Sequence, residues 1–486
     1  MHTGSNQINT VGAHADVKRA PIMIALIIGA FFAILNETLL NVALTQLMVE
    51  FQVGEATVQW LSTGFMLMVG ILIPVSALLI SWFTTRQMFI GAMTLFTIGT
   101  LISGLAPNFS VLLIGRLIQA SGTGLLLPIM MNTILVLFPP EKRGGAMGMM
   151  GLVIMFAPAL GPTLSGVIIE ALNWRWLFFS VVPFALFSIL FAFIFLKNVT
   201  KVTKPKVDVI SIILSTLGFG GIVFGFSSAG EGASGWTHPE VYGTIILGAL
   251  SLILFVLRQL KMEEPILDVR TFRSPMFSIT TILLIIVMMS MFSTMILIPM
   301  FLQGAMALTA FAAGLALLPG GLLNGLMSPI MGKLFDKFGP TFLVRPGAIL
   351  LVVVLILFTT IHTETPIYVF VVYHCLLMVA IAMMMMPAQT NALNELPPKY
   401  YPHGTAILNT LQQVAGAIGV ALFISIMSNS RTNYLSENVQ GEPSVQDFAL
   451  SLTAGVQTSF KVGLCFAIVA LVLTFFIKRV KEPKDI

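Results

Sequence analysis

Long apolar runs separated by short polar segments dominate the chain. Each is close to the length of about 20 residues that an α-helix needs to cross a bilayer. The runs lie at residues 22–43, 58–80, 87–106, 110–137, 145–170, 176–196, 209–228, 241–257, 276–301, 308–332, 341–361, 366–390, 404–428 and 459–478. The pattern predicts an all-α integral membrane protein with fourteen transmembrane helices.

The polar connectors divide these spans into groups of six, two and six. The expected units are a tail at 1–20, a six-helix bundle at 21–196, linkers with a two-helix hairpin at 197–274, a second six-helix bundle at 275–479 and a tail at 480–486. Two bundles of this kind are typical of transporters built from repeated halves. The long polar segment from Ser428 to Gln457 is expected to be a loop between the last two spans.

Composition excludes most other classes of protein. With 57% hydrophobic and 9% charged residues, no water-soluble class fits 486 residues. Cys375 and Cys465 lie inside apolar runs and indicate neither a disulfide nor a metal site. No phosphate-binding GxxxxGK[ST] loop, HExxH motif or filter motif is present in the sequence. We therefore expect neither an enzyme nor an ATP-driven pump, and no metal or cofactor.

The basic residues carry a topology signal. If the N-terminus is cytoplasmic, nearly all of the 25 Lys and Arg residues fall on the cytoplasmic side, whereas the acidic residues divide about evenly. Arg175, Arg431 and Lys461 fall outside, and Arg116 lies within a span. Because positive charge determines orientation, both termini are predicted to be cytoplasmic. Basic residues in short loops give no reason to expect nucleic-acid binding.

Two charged residues inside spans are the strongest candidates for chemistry. Glu37 is the only acidic residue within any predicted span, and an intramembrane carboxylate is a functional residue by default. Glu37 and Arg116 are both expected in the outer half of the membrane, paired directly or coupled through water. Burial disfavours an ionised carboxyl and a nearby Arg favours it, so a change in their separation would alter proton binding. A fixed buried ion pair is the alternative interpretation.

Neutral polar residues inside spans are candidates for contacting a substrate. They are Asn36, Asn41, Asn132, Gln303, His374, Asn409 and Gln412. An unperturbed His titrates near neutral pH, although a lone His in a span also serves to hydrogen-bond a neighbouring helix. Met clusters at 288–291 and 383–386 could form an adaptable pocket wall or simply fill space between helices.

A run of Gly, Ala and Pro from Gly148 to Gly166 marks the fifth span. Prolines are tolerated in membrane helices because neighbouring helices satisfy the freed backbone groups, and small residues permit close approach. Its outer half lies at the same depth as a second small-residue surface in span 10. We expect the two surfaces to form an extracellular gate, using Ala157, Pro158, Gly161, Pro162 and Gly166 with Pro319 and Gly320.

Several of these motifs resemble the major facilitator superfamily, and the resemblance covers nearly the whole chain. The run in span 5 is similar to the antiporter motif of its drug:proton exporters, and residues 113–122 resemble the motif centred on a membrane Arg. Residues 35–44 resemble the signature of the fourteen-span branch, although Asn36 stands where Asp is usual. The loop after span 10 resembles the family's cytoplasmic-loop signature, with Gly332, Asp336, Lys337 and Gly339 at its motif positions.

The chain is identified on these motifs as a member of the lincomycin-resistance-type multidrug exporters of Gram-positive bacteria. The resemblance implies a monomeric antiporter of the bacterial cytoplasmic membrane that exports amphipathic drugs, with Glu37 and Arg116 in proton coupling. The proton-motive force would drive it without a cofactor. A transporter of a small metabolite on the same fold is the alternative, because a fold does not determine function.

Overall fold

The computed structural model describes residues 19–53, 55–198, 202–203, 207–231, 236, 238–439 and 442–480. The α-helices within these residues are α1 (Arg19–Phe51), α2 (Glu55–Trp82), α3 (Thr85–Gly104), α4 (Phe109–Leu137), α5 (Arg143–Ala171), α6 (Trp176–Phe179), α7 (Val182–Phe195), α8 (Val209–Glu231), α9 (Pro239–Lys261), α10 (Pro275–Gly304), α11 (Ala310–Phe338), α12 (Thr341–Phe358), α13 (Ile367–Asn394), α14 (Tyr401–Asn438) and α15 (Val445–Thr474). Helices α6 and α7 together form one span, so the 14 predicted membrane spans are confirmed.

Two six-span bundles make up most of the molecule. Helices α1–α7 pack together as the first bundle, and α10–α15 pack together as the second. Because the number of spans is even, α1 begins and α15 ends at the same end of the molecule. We call this the termini end and the opposite end the far end. The two bundles meet chiefly through α5 with α11 and through α2 with α14.

The inserted hairpin, α8 and α9, lies across the second of these seams. Helix α8 packs against both α2 and α14, whereas α9 packs mainly against α8. The Trp60 ring of α2 stacks on the Phe224 ring of α8 with centroids 5.7 Å apart. Trp236, between α8 and α9, donates a hydrogen bond to Ser425 of α14. The hairpin therefore bridges the two bundles.

A polar cluster holds the base of the hairpin together at the termini end. Arg258 of α9 donates to both carboxylate oxygens of Asp208, which precedes α8, at 2.6 and 3.0 Å. This hydrogen-bonded guanidinium lowers the pKa of Asp208 from 3.8 to about 2. The connector that follows α9 is tied to α14, because the Asp268 N–H donates to Nδ1 of His403 at 3.2 Å.

The predicted loop from Ser428 to Gln457 is wrong over most of its length. Helix α14 continues to Asn438, and α15 begins at Val445, where Ser444 and Asp447 form a capping box. The Ser430 and Thr458 hydroxyls lie 3.0 Å apart and join the two helices. Hydropathy identifies the part of a helix that lies in lipid but not the residue at which the helix ends. The polar turns at the end of α14 and the start of α15 therefore resemble a loop in sequence, although they are helical.

The hairpin base gives a testable prediction. Asp208→Asn removes the charge that Arg258 binds and is expected to speed amide hydrogen exchange at the termini end of α8 and α9 at neutral pH. In the wild type the protection factors of the same amides, which correct the measured exchange for the intrinsic rate at each pH, are expected to fall as the pH falls from about 4 towards 2. A carboxyl whose folded pKa is depressed stabilises the fold only while it is ionised.

Glu240→Gln is the matched control for this substitution, since Glu240 lies at the other end of α9. It is expected to leave exchange at the hairpin base unchanged. If Asp208→Asn kept the wild-type amide protection at the hairpin base, the ion pair between Asp208 and Arg258 would not be what stabilises this base.

Candidate functional site

Arg116 of α4 is a buried cation held by uncharged groups. Its side chain is 1% exposed, and its guanidinium lies 4.2 Å above the centre of the Phe65 ring. Nη1 donates to Oε1 of Gln119 at 2.6 Å and to Oδ1 of Asn36 at 3.5 Å, whereas Nε has no partner. The positive charge is therefore stabilised by amide oxygens and an aromatic face.

Asn36 of α1 uses both ends of its amide. Oδ1 accepts from Nε2 of Gln119 at 2.7 Å, and Nδ2 donates to the Leu177 carbonyl at 2.9 Å. Leu177 lies at the break between α6 and α7. There the Val181 N–H, which would bond to Leu177 in a continuous α-helix, bonds to Phe178 instead. Asn36 thus joins α1 both to the Arg116 cluster and to a carbonyl that the helix break leaves free.

Glu37 lies midway along α1 and is half-buried. It is the only acidic residue in the described helices that lies more than about one turn from a helix end. The ion pairs among the described residues include none between Glu37 and Arg116, so direct pairing is not observed, although the two charges attract at longer range. Successive helical residues point about 100° apart, so Glu37 does not share the direction of Asn36.

Helix α5 packs against α1 immediately beyond Glu37. A Cβ atom on Gly161 would lie 2.2 Å from Oγ1 of Thr38, so only glycine permits this approach. Ser165 donates to the Leu39 carbonyl at 2.7 Å. Part of the expected gate surface in α5 is therefore a contact within the first bundle, next to the intramembrane carboxylate.

The closest contact between the bundles lies at the termini end. A Cβ atom on Gly332 of α11 would lie 2.0 Å from the carbonyl oxygen of Gly144 in α5. Asp336 accepts from the N–H groups of Gly144 and Gly145, both at 2.8 Å. These N–H groups belong to the first turn of α5, where no intrahelical acceptor exists and the helix dipole favours an anion. Asp336 of the loop motif thus caps a helix of the other bundle.

Arg143 joins four helix ends at this closure. Its guanidinium donates to the Leu135 and Phe138 carbonyls at the end of α4, at 2.7 and 3.0 Å. It also donates to Oδ1 of Asn394 in α13 and to the hydroxyl of Tyr401 in α14, both at 2.9 Å. Arg143 lies just before the predicted fifth span, so the sequence marks it only as one of the basic residues outside the spans. A basic residue directly before Gly144 and Gly145 was the one available signal.

A second layer of contact lies deeper in the same seam. Met131 of α4 accepts hydrogen bonds at its sulfur from Asn409 of α14 and Gln389 of α13, at 2.9 and 3.7 Å. Asn409 also donates to the Thr405 carbonyl. Gln412 follows about one turn along α14, with its Nε2 atom buried and unpartnered. Asn409 is thus the substrate candidate placed directly at the seam.

The predicted outer gate involves the far halves of α5 and α11. Ala159 lies against Gly321, where an added Cβ atom would approach the Ala159 Cβ atom to 2.6 Å. A Cβ atom placed on Gly166 or on Gly314 would have no heavy atom within 4 Å apart from those of its chain neighbours and its own helix backbone. The small-residue surfaces of α5 and α11 thus approach each other at Ala159 and Gly321 but leave space around Gly166 and Gly314, and the extracellular gate stays a prediction.

Other members of the predicted gate have different surroundings. Ala157 is fully buried, Pro158 is half-buried and Pro319 is exposed. A Cβ atom on Gly320 would lie 2.2 Å from Nδ1 of His374, so this glycine packs against α13 rather than α5. The side chain of Pro162 lies outside the described residues.

The remaining sequence candidates are dispersed. Asn132 lines a small crevice inside the first bundle with Thr85 and Met88, and its Oδ1 atom is unpartnered. His374 is buried with an unpartnered Nδ1 atom, and Gln303 is exposed near the end of α10. The side chain of Asn41 lies outside the described residues. In the loop motif, Lys337 is exposed and Gly339 ends α11 in the left-handed region with φ of 82°.

Two six-helix bundles that close on each other at one end define a membrane transporter rather than an enzyme. The sequence model of the Major Facilitator Superfamily matches residues 26–420. The chain belongs to this superfamily and is a multi-pass protein of the cell membrane, which confirms the resemblance seen in its motifs.

Curated relatives match almost the full length. The Lincomycin resistance protein LmrB of Bacillus subtilis (strain 168) is 53% identical over 472 residues, covering 97% of this chain and 98% of the relative. The LmrB protein of Listeria monocytogenes is 54% identical over 465 residues, covering 96% and 98%. A Multidrug resistance protein B homolog of Mycobacterium tuberculosis is 27% identical over 409 residues, covering 83% and 75%.

Solved structures share the fold. The proton:xylose symporter XylE aligns with a TM-score of 0.64 at 15% identity, over 95% of this chain and 98% of that one. The human organic anion transporter MFSD10 aligns with a TM-score of 0.62 at 14% identity, over 94% and 99%. At these identities the likeness concerns the fold alone.

The glycine contact at the termini end gives a prediction about closure. Gly332→Ala places a methyl group against the Gly144 carbonyl and is expected to reduce the closed population, because neither backbone can yield without separating the bundles. Spin labels on the ends of α4 and α13 would report longer distances. Gly314→Ala, on the same helix with free space around it, is the control, and an unchanged distance distribution in Gly332→Ala would refute the prediction.

Proposed function

We propose that the protein is a proton-coupled antiporter that exports amphipathic drugs, including lincosamide-type antibiotics, across the bacterial cytoplasmic membrane. The similarity to lincomycin resistance proteins over almost the full length supports resistance to lincomycin as the outcome. The observation that carries proton coupling is the position of Glu37. It is a lone carboxylate midway along a membrane helix, half-buried and beside the α1–α5 contact.

The proposed orientation follows from the basic residues. Those at the termini end, including Arg143, Lys333 and Lys337, support a cytoplasmic location for this end. We propose that the closed contacts made by Arg143 and Asp336 form a cytoplasmic gate and that closure at this end corresponds to an outward-facing state. The proposed outward state leaves Glu37 open to protons from outside the cell.

The proposed cycle exchanges one occupant for another. A proton from outside binds Glu37, and the drug leaves. Rocking of the bundles then breaks the cytoplasmic contacts of Arg143 and Asp336, the proton leaves inward, and a drug binds from the cytoplasm or the inner leaflet. Thr38 and Leu39 couple α1 to α5, so a change at Glu37 is transmitted to the helix that also forms the gate.

The proton-motive force is the proposed energy source, and no cofactor takes part. A force of about 150 mV supplies roughly 3.5 kcal/mol per proton. Since 1.4 kcal/mol corresponds to tenfold, one-for-one exchange sustains a gradient of about a few hundredfold for a neutral drug. One chain contributes both bundles and the seam between them, which supports a monomer as the working unit.

The proposed function predicts the behaviour of Glu37→Gln. In proteoliposomes with an imposed pH gradient, lincomycin or ethidium is expected to dissipate the gradient with wild-type protein. Glu37→Gln is expected to abolish this exchange while retaining drug binding, because a neutral amide cannot carry the proton. Lumenal pH and drug are followed together.

Glu170→Gln is the matched control, since Glu170 lies exposed at the far end of α5. It is expected to exchange like the wild type. Wild-type protein that moves no proton against any drug tried would reject drug antiport in favour of metabolite transport. Normal exchange by Glu37→Gln would reject Glu37 as the proton site, and His374 would be tested next.

A further inference from the structure

Asn36, the residue before the proposed proton site in the sequence, uses both polar atoms of its side-chain amide in hydrogen bonds. Asn36 is 1% exposed, and its Nδ2 atom donates to the Leu177 carbonyl at 2.9 Å while its Oδ1 atom accepts from Gln119 and Arg116. A carboxylate at this position could accept from Arg116 but could not donate to Leu177. The buried carbonyl at the α6–α7 break would then lose its partner.

In the described helices of the first bundle, Arg116 is the one cation that lies more than about one turn from a helix end. Helices α2–α7 carry no other charged side chain more than about one turn from their ends, and none of their residues in that region is a His, Cys or Tyr. The partners of Arg116 are the amide oxygens of Asn36 and Gln119 and the ring of Phe65, all without charge. Glu37 is therefore the one opposite charge away from a helix end, within the described helices of the first bundle, that this cation can attract.

We infer that Asn36 is a positioning residue, which holds Arg116 with an uncharged acceptor so that Glu37 alone binds the transported proton under the field of an unneutralised cation. The inference rests on the proposed function. It assigns a role to Asn36 that differs from contact with the substrate. The amide keeps the cation in place without cancelling its charge, and it keeps a second acid out of the site.

The test replaces an amide by an acid at each uncharged partner of Arg116. In Asn36→Asp the new carboxylate pairs with Arg116, which then no longer favours ionised Glu37. The pH at which drug binding releases half of its maximal protons is expected to rise by about one unit. Gln119→Glu is expected to shift it in the same direction while the Leu177 bond stays intact, so the test survives if Asn36→Asp does not fold.

Asn324→Asp is the matched control. Asn324 of α11 is also 1% exposed and donates from Nδ2 to a backbone carbonyl, that of Met378, at 2.8 Å. Its replacement removes the same kind of bond in the other bundle, away from Arg116. The temperature of thermal unfolding is expected to fall in Asn324→Asp as in Asn36→Asp. The pH midpoint of proton release is expected to move only in Asn36→Asp and Gln119→Glu.

Proton release is measured with a pH indicator in weakly buffered detergent solution on addition of lincomycin, and in parallel of ethidium, across a pH series. Unchanged midpoints in both Asn36→Asp and Gln119→Glu would overturn the inference, as would an equal shift in Asn324→Asp. If Glu37→Gln abolishes release in the same assay, the proposed function stands even then. Wild-type protein that releases no proton with either probe would instead reject the proposed function.

Discussion

A guanidinium buried among membrane helices must find all of its partners inside the protein, because the surrounding lipid offers none. Arg116 finds partners in the amides of Asn36 and Gln119 and the ring of Phe65, while its Nε atom stays unpartnered. The same amide of Asn36 satisfies the carbonyl of Leu177. One buried charge and its amide partners therefore link α1, α4 and α6, and the carboxylate of Glu37 lies on a different side of α1.

Closure between the bundles rests on close backbone approach and on polar contacts. In lipid no hydrophobic effect drives helices together, so backbone approach and polar bonds must do so. At the termini end, Gly144 and Gly332 bring two backbones together, Asp336 caps α5 and Arg143 joins four helix ends. These contacts require close approach of the two bundles, so a rotation of the bundles would break them together. This behaviour is what the proposed cytoplasmic gate requires.

The inserted hairpin adds a constraint of its own. Helix α8 lies over the seam between α2 and α14, and the connector after α9 is bonded to His403 at the start of α14. Because α8 contacts both bundles, a movement of one bundle relative to the other changes the contacts of α8, including the stacked rings of Trp60 and Phe224. The two seams of the molecule are thus held differently, one by glycine backbone contacts and one by a separate pair of helices.

The number of spans, their grouping and the two charged residues inside them could be read from the sequence, because hydropathy, length and an isolated charge are local properties. The ends of α14 and α15 and the partners of Asn36 and Arg143 could not. Arg143 meets Asn394 and Tyr401 across 251 and 258 residues of chain, and Asn36 meets Gln119 across 83. Only the docking of helices distant in sequence decides which polar groups satisfy each other.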